Sequence, residues 1–249
     1  MQSWFPGAWN RLRYAWWELR RIARPYATIE GIRVPLDRSM PLDFRNALYH
    51  GNYERAEMTA LQATLEPEDV VMEIGTGLGF LAAFAATVVG SDHVVTYEAN
   101  PSLTPLIKRT FRLNGVAPRG VNAILADRPG HTDFFVEPLF YNSSTTFSEG
   151  AQKITVRTLP LTDEMSRIKP TFVIMDVEGS ESDLLPMMNL SSVNKVLIEF
   201  HPHVIGEERV AELVRLFNSH GLTNVPRFSS GVQSFFARTS GFLPQEQQV

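Results

Sequence analysis

The sequence predicts an α/β fold, a mostly parallel, doubly wound sheet with an antiparallel edge strand. Three observations carry the prediction. Strand-like and helix-like runs alternate in regular order from Val70 onward. The strand-like runs are nearly continuous stretches of Val, Ile and other apolar residues, as expected of strands covered on both faces. The first of them also runs straight into a glycine-rich turn that opens a helix. Open α/β sheets build their ligand sites at such carboxyl ends.

Taken in order, residues 1–50 read as an N-terminal amphipathic helical extension and 51–249 as the α/β domain. In the extension, Phe5, Trp9, Leu12, Trp16, Leu19 and Ala23 recur at helical spacing and form one stripe. Arginines fill much of the opposite surface and Pro25 ends the pattern. A stripe of this kind packs on its own domain, joins two copies in a homodimer, or lies in a membrane interface as a basic, Trp-rich helix. Strands are expected at "VVMEI" (70–74), "VVTYEA" (94–99), "NAILA" (122–126), "TFVIMDV" (171–177) and "KVLIEF" (195–200). Helices are expected between them at about 80–89, 102–114, 180–189 and 207–220. "DFFVE", "KITVRTL" and "SFFAR" are further strands, the last of them the antiparallel edge.

Composition narrows the function. The 249 residues are 44% hydrophobic, enough for a sizeable core. Residues 1–24 hold five Arg and one Glu, so with a total charge of -4 the rest of the chain is acidic. Nucleic acid is therefore not an expected partner. The absence of Cys excludes disulfides and thiolate metal sites. Arg11, Arg13, Arg20 and Arg21 interrupt any signal-peptide core, and the longest apolar run, Phe80–Val89, is too short to cross a membrane. The expected location is the cytoplasm, with peripheral membrane contact through the first helix as one option.

"VVMEIGTGLGF" is the most informative stretch. Gly75, Gly77 and Gly79 suit a turn that needs positive φ and a close backbone approach to a ligand. The spacing is not that of a dinucleotide fingerprint, since Phe80 stands where its third glycine would be, and a P-loop Lys is missing. Instead an acid, Glu73, precedes the glycines and would meet an ammonium group. Nineteen residues after Gly79, Glu98 ends the second strand, where a carboxylate can accept both hydroxyls of a ribose. Asp127, after "AILA", would lie at the same edge and accept from an adenine amino group. A nucleoside with a cationic amino-acid arm fits these three positions, which means S-adenosylmethionine. Thr76 within the loop, and Ala99 and Asn100 after Glu98, belong to the same expected cofactor set.

With those residues in place, the sequence resembles the FkbM family of S-adenosylmethionine-dependent methyltransferases. The likeness runs from about Gly51 to His201, through "GNYERAE", "EIGTGLGF", "YEANP" and "ITVRTLPLTDEM", and is most specific at "DVEGSE" and "IEFHP". It implies a Rossmann-like class I methyltransferase domain over 51–249. It also implies methyl transfer to a hydroxyl oxygen of a sugar, lipid-linked glycan or other natural-product small molecule. It places Tyr53 and Glu54 over the cofactor. The chain departs from the family at "EIGTG", at Ala99 in place of a frequent Pro, and at Ile174 in place of a common Lys.

The fourth strand ends at Asp176, beside the expected position of the transferable methyl. An alcohol is a poor nucleophile at neutral pH, so a base there accelerates transfer by roughly 10²–10⁴-fold. Asp176 is the first candidate for that base. Glu199 and His201 share one side of the next strand end, and His201 is the alternative base. Glu178 is a candidate substrate contact, as are Tyr141, Asn142 and Ser143 in the polar insertion 140–150, which can equally be a surface turn. Glu181 and Asp183 read as ordinary acids of a first helical turn. Asp176, Glu199 and His201 would together suit a divalent ion, but their spacing does not demand one and no metal is assigned. N-methylation of an amine or peptide group, and a non-catalytic module that binds S-adenosylmethionine as a scaffold, remain alternatives.

Overall fold

A computed structural model describes residues 25–37, 40–136 and 151–238. The Trp/Arg segment 1–24, the candidate contacts Tyr141, Asn142 and Ser143, and the C-terminal tail lie outside the described residues. The chain falls into two compact units, Met1–Tyr53 and Glu54–Val249.

The described part of the first unit is a hairpin followed by a helix. Strands β1 (Tyr26–Ile29) and β2 (Ile32–Pro35) pair antiparallel through the two-residue loop Glu30-Gly31. Both loop residues have positive φ, 46° and 82°, the backbone that matches a hairpin's right-handed twist. Helix α1 (Leu42–His50) ends on left-handed Gly51, and Tyr53 packs edge-to-face on Phe44. No strand is expected within 1–50 from the hydrophobic pattern, because four-residue strands are too short to show alternation.

The second unit begins with α2 (Arg55–Thr64), β3 (Val71–Ile74), α3 (Phe80–Val89), β4 (Val94–Glu98), α4 (Thr104–Leu113) and β5 (Arg119–Asn122). Three strands that leave the main sheet follow, β6 (Ile124–Ala126), β7 (Gly130–Val136) and β8 (Gln152–Pro160). The rest is α5 (Leu161–Ile168), β9 (Phe172–Met175), α6 (Glu181–Met187), β10 (Lys195–Glu199), α7 (Pro202–Ile205), α8 (Glu207–Ser219), β11 (Leu222–Asn224) and β12 (Gln233–Arg238). The central sheet has the order β11-β12-β10-β9-β3-β4-β5 and is parallel except for β12. This is the expected doubly wound arrangement.

Every residue of β3 and β9 is buried, which is why these strands read as unbroken apolar runs. On one face Met72, Ile74, Val173, Met175, Val196 and Ile198 pack with Leu161, Leu184, Leu213 and Phe217. Connections leave β3 towards β4 and β9 towards β10, in opposite directions. The carboxyl ends of β3 and β9 therefore flank the switch point, where such sheets open a crevice.

Two details differ from expectation. The third strand of the central sheet is Arg119–Asn122, not 122–126; Ile124–Ala126 instead pairs with β8 in a separate three-stranded sheet. Arg119–Asn122 is polar and largely exposed, so hydrophobicity points to its neighbour. The antiparallel strand "SFFAR" is one place in from the edge, because Leu222–Asn224 caps it on the outside.

At the amino edge, the Lys195 ammonium donates to Thr64 O at 2.9 Å, Glu66 Oε2 at 2.6 Å and Asp69 Oδ2 at 2.7 Å. Thr171 donates to the other Asp69 oxygen. This buried charge cluster fixes where α2 ends and where β9 and β10 begin.

Candidate active site

The glycine loop follows β3 with Gly75, Gly77 and Gly79 at φ of 86°, 54° and 76°. Gly75 donates to Tyr97 O, and Gly79 donates to Thr76 O before its own carbonyl accepts the first helical bond of α3. A Cβ on Gly75 would lie 1.7 Å from the carbonyl oxygen of Asp176, whose N–H in turn donates to Ile74 O at 2.9 Å. Here glycine is required by contact: the loop after β3 and the loop after β9 touch backbone to backbone. At Gly79 a Cβ would meet the Phe111 ring at 2.9 Å, so this glycine lets α4 pack close.

Two acids serve this loop. Glu98 Oε2 accepts from Thr76 N–H at 3.1 Å and Gly77 N–H at 3.0 Å, and its Oε1 accepts from Asn100 N–H at 2.7 Å. Burial pushes its carboxyl up to about 7 against the pull of those N–H groups. Glu73 is only 1% exposed and accepts from the Thr96 hydroxyl, which also bonds the Thr76 hydroxyl. Burial pushes it up to about 8, with the hydroxyl bonds opposing. Its register partners on the two flanking strands are Thr96 and Ile174, neither of them a cation. Glu73 is thus largely protonated at neutral pH, and an incoming ammonium would draw its pKa down.

Asn100 is buried and accepts from the Ser102 N–H and hydroxyl, while its Nδ2 has no hydrogen-bond partner. Asn122, missed in the sequence, ends the true third strand and donates to Glu98 O at 2.7 Å and Ala99 O at 3.1 Å. It fixes the backbone at and just after Glu98. Asp127, by contrast, follows β6 in the smaller sheet, is 63% exposed and pairs with neighbouring Arg128. It does not stand at the end of the third central strand as the sequence implies; the shifted strand assignment is the reason. Glu54 opens α2 with a left-handed φ of 45°, its carbonyl accepting from Met58 N–H.

The acids after β9 and β10 converge. His201, 4% exposed, places Nε2 at 3.3 Å from Glu178 Oε2 and 3.6 Å from Asp176 Oδ1, with Nδ1 at 3.4 Å from Glu181 Oε1. One ligand atom each from Asp176, Glu199 and His201 lies within 4.8 Å of the other two. Glu178 has a left-handed φ of 49°, and Gly179 beside it packs on Val204. Glu181 is fully buried; it accepts from Gly179 N–H and from His201 N–H, each at 2.8 Å, so it ties the two loops together. Burial opposes its charge, but the His201 ring, its own backbone N–H and that of His201 outweigh it and hold its carboxyl below the usual range.

Burial also opposes charge on His201, yet the Glu181, Glu178 and Asp176 carboxylates raise it to about 9. Without another cation it is an imidazolium at neutral pH and holds a proton where a base would accept one. The Asp176 side chain keeps 46% of its surface open, so it lines the site. Burial of the remainder, then the charges of Glu199 and Glu178, push its carboxyl upward. Glu199 is raised by burial too, with Glu57 adding to it. Glu57, on α2, is itself raised by burial and acts on both Asp176 and Glu199. It closes the segment "GNYERAE", where the sequence gives it no role of its own.

The Methyltransferase FkbM domain matches residues 69–222 of the chain. Ribosomal protein L11 methyltransferase of Bacillus cereus (strain AH820) is 29% identical over 125 residues, covering 48% of this chain and 40% of that protein. The match thus spans less than half the length of the curated relative. Among solved structures, a methyltransferase from Pyrococcus furiosus aligns with a TM-score of 0.46 and 11% identity, covering 91% of this chain and 98% of that one. The ribosomal protein L11 methylase from Lactobacillus delbrueckii subsp. bulgaricus aligns at 0.44 and 12%, covering 75% and 78%. Among the described residues, no helix is long and apolar enough to cross a membrane.

Proposed function

Because the chain belongs to the FkbM methyltransferase domain family, we propose that it is an S-adenosylmethionine-dependent methyltransferase acting on a hydroxyl oxygen of a sugar, glycan or other natural-product small molecule. The observation that carries this reading is the backbone contact between Gly75 and Asp176. It sets the nucleoside-binding loop and the acid cluster side by side at the switch point of the sheet.

The residues present fit the cofactor. Glycines keep the loop backbone bare, Glu98 is held at its rim, and buried Asn100 Nδ2 is a donor without a partner. S-adenosylmethionine, when bound, supplies an electrophilic methyl group on a sulfonium. Glu98 would accept the ribose hydroxyls. Asp176 accepts the hydroxyl proton of the acceptor, and its raised pKa makes it a better base than an ordinary carboxylate. His201, already protonated, orients Asp176 and Glu178 through their 3.6 Å and 3.3 Å contacts. Glu181 fixes the His201 backbone in turn.

A second reading, methylation of an amine or peptide nitrogen, is favoured by the number of carboxylates, which would take up an ammonium acceptor. Labelled methyl transfer to parallel panels of hydroxylated sugars and of amines separates the two. Within the correct panel, Asp176→Asn is expected to keep wild-type affinity for S-adenosylhomocysteine and to lose transfer by about 10²-fold or more. Failure of the folded wild-type chain to bind S-adenosylhomocysteine would overturn the methyltransferase reading altogether.

A further inference from the structure

The acids around Asp176 are more numerous than one proton transfer requires. The largest charges acting on Asp176, Glu178 and Glu199 include one another, Glu57 and Glu181, with the imidazoles of His201 and His203 opposing them. No Lys or Arg ranks among them. Uncompensated carboxylates gathered in a half-buried site are costly unless a cation joins them.

His201 supplies an independent observation. Its side chain is 5% exposed, and its Nδ1 is turned to Glu181 Oε1 at 3.4 Å, the kind of carboxylate partner that orients a metal-bound imidazole. Its Nε2 points between the carboxylates of Asp176 and Glu178 at 3.6 Å and 3.3 Å, longer than a well-formed charged hydrogen bond. A buried imidazole held by its backbone at Glu181 and aimed into a group of acids has the arrangement of a metal ligand awaiting its ion.

We propose that Asp176, Glu199 and His201 Nε2 bind one divalent cation of the Mn²⁺ or Mg²⁺ type, which holds the acceptor hydroxyl beside the transferable methyl. Their ligand atoms all lie within 4.8 Å of one another, a separation that three ligands of one ion can span with little movement. Two carboxylates and one imidazole leave positions for water and for the acceptor oxygen. Carboxylate oxygens suit Mg²⁺, Ca²⁺ and Mn²⁺, and the imidazole among the ligands favours Mn²⁺ within that group. Glu178, whose Oε2 lies 3.3 Å from His201 Nε2, stands next to these ligands as an outer carboxylate.

The site rests on the methyltransferase reading only for its purpose. With the ion bound, Asp176 and His201 Nε2 serve as ligands in place of base and imidazolium; the cation lowers the pKa of the acceptor hydroxyl, and the released proton passes to Glu178. The oxygen–carbon bond then forms as the carbon–sulfur bond breaks, with no redox partner needed. The sequence spacing gives no reason to assign a metal, because Glu57 and the burial of His201 become visible only in the fold.

Titration of the full chain with MnCl₂ alone, read by the loss of the free-ion electron paramagnetic resonance signal, tests the site. One saturable ion per chain is expected. Glu199→Gln and His201→Asn should weaken it by more than tenfold, since loss of merely outer partners costs about 10–100-fold. Asp183→Asn, an exposed acid on the same loop and helix, should leave it unchanged. Absence of saturable binding by the folded wild type, or equal binding by Glu199→Gln, overturns the proposal. Calorimetry with S-adenosylhomocysteine on the same samples separates the two ideas: nucleoside binding without Mn²⁺ binding defeats the metal site and leaves the methyltransferase reading standing. If Glu199→Gln or His201→Asn fails to fold, Asp176→Asn replaces it as the ligand variant.

Discussion

The carbonyl oxygen of Asp176 fills the space that a side chain on Gly75 would need, 1.7 Å from the ideal Cβ position. The obstacle is backbone, so no rotamer change relieves it. Gly75 also has φ of 86°, where a Cβ adds its own strain of about 1–3 kcal/mol. Gly75→Ala is therefore expected to lower the melting temperature and to weaken S-adenosylhomocysteine binding by at least tenfold. It should abolish transfer as well, because the base moves with the loop. Wild-type affinity in Gly75→Ala by calorimetry would break the proposed link between the two loops.

Protons should move when the cofactor binds. Burial holds Glu73 up to about 8 and Glu98 up to about 7, well above their ordinary value of 4.5. A group whose folded pKa is raised stabilises the fold fully below its unfolded pKa, and that contribution is lost as pH rises through the folded value. The ligand-free chain should thus lose stability between about pH 4.5 and 8 on account of these two groups. A ligand bringing an ammonium to Glu73 and ribose hydroxyls to Glu98 favours their ionised forms, so binding releases protons and strengthens with rising pH. Calorimetry at pH 7 in phosphate and in Tris should give different apparent enthalpies, in the sense of proton release. Equal enthalpies would mean that neither acid changes state.

Ile174 explains part of that behaviour and shows where sequence was readable. The sheet, the four main helices and the glycine loop are legible because apolar periodicity and glycine placement are local properties. That Ile174 lies against Glu73, leaving it without a cation, is a matter of register between strands a hundred residues apart. The third strand is misplaced because Arg119–Asn122 is held by its neighbours' hydrogen bonds and not by burial. By that shift Asp127 follows Ile124–Ala126 of the smaller sheet and not the third central strand. Glu57 ends the quoted segment "GNYERAE" but receives no role there, since an acid on an amphipathic helix looks like any solvated one until the helix is packed.

The amino edge offers a test of stability separate from chemistry. Lys195 is 5% exposed and Asp69 4% exposed, whereas Glu66, the other carboxylate on Lys195, keeps 61% of its side chain open. Asp69→Ala leaves the buried ammonium with its weaker partner and also strips Thr171 of its acceptor. A loss of about 3 kcal/mol is expected from urea denaturation, in the range for removing one member of a buried pair. A loss under about 1 kcal/mol would show that water or Glu66 replaces Asp69 without difficulty.

Glu181 separates a helix-end acid from a structural bridge. Its place in the first turn of Glu181–Met187 suggests only a favourable interaction with the helix dipole, which Asp183 in the same turn would share. The fold gives it more, since its two oxygens accept from Gly179 N–H and His201 N–H while the side chain is fully buried. In Glu181→Gln one oxygen becomes an NH₂ group, so one of those backbone donors faces another donor and loses its acceptor. The expected cost is about 1–3 kcal/mol of stability. His201 and the Glu178 loop should also drift apart, lowering kcat while leaving the KM for S-adenosylmethionine unchanged, because Glu98 and the glycine loop are untouched. Asp183→Asn should be silent in both measurements. If the two variants behave alike, the dipole accounts for Glu181 and the bridge between the loops has no functional weight.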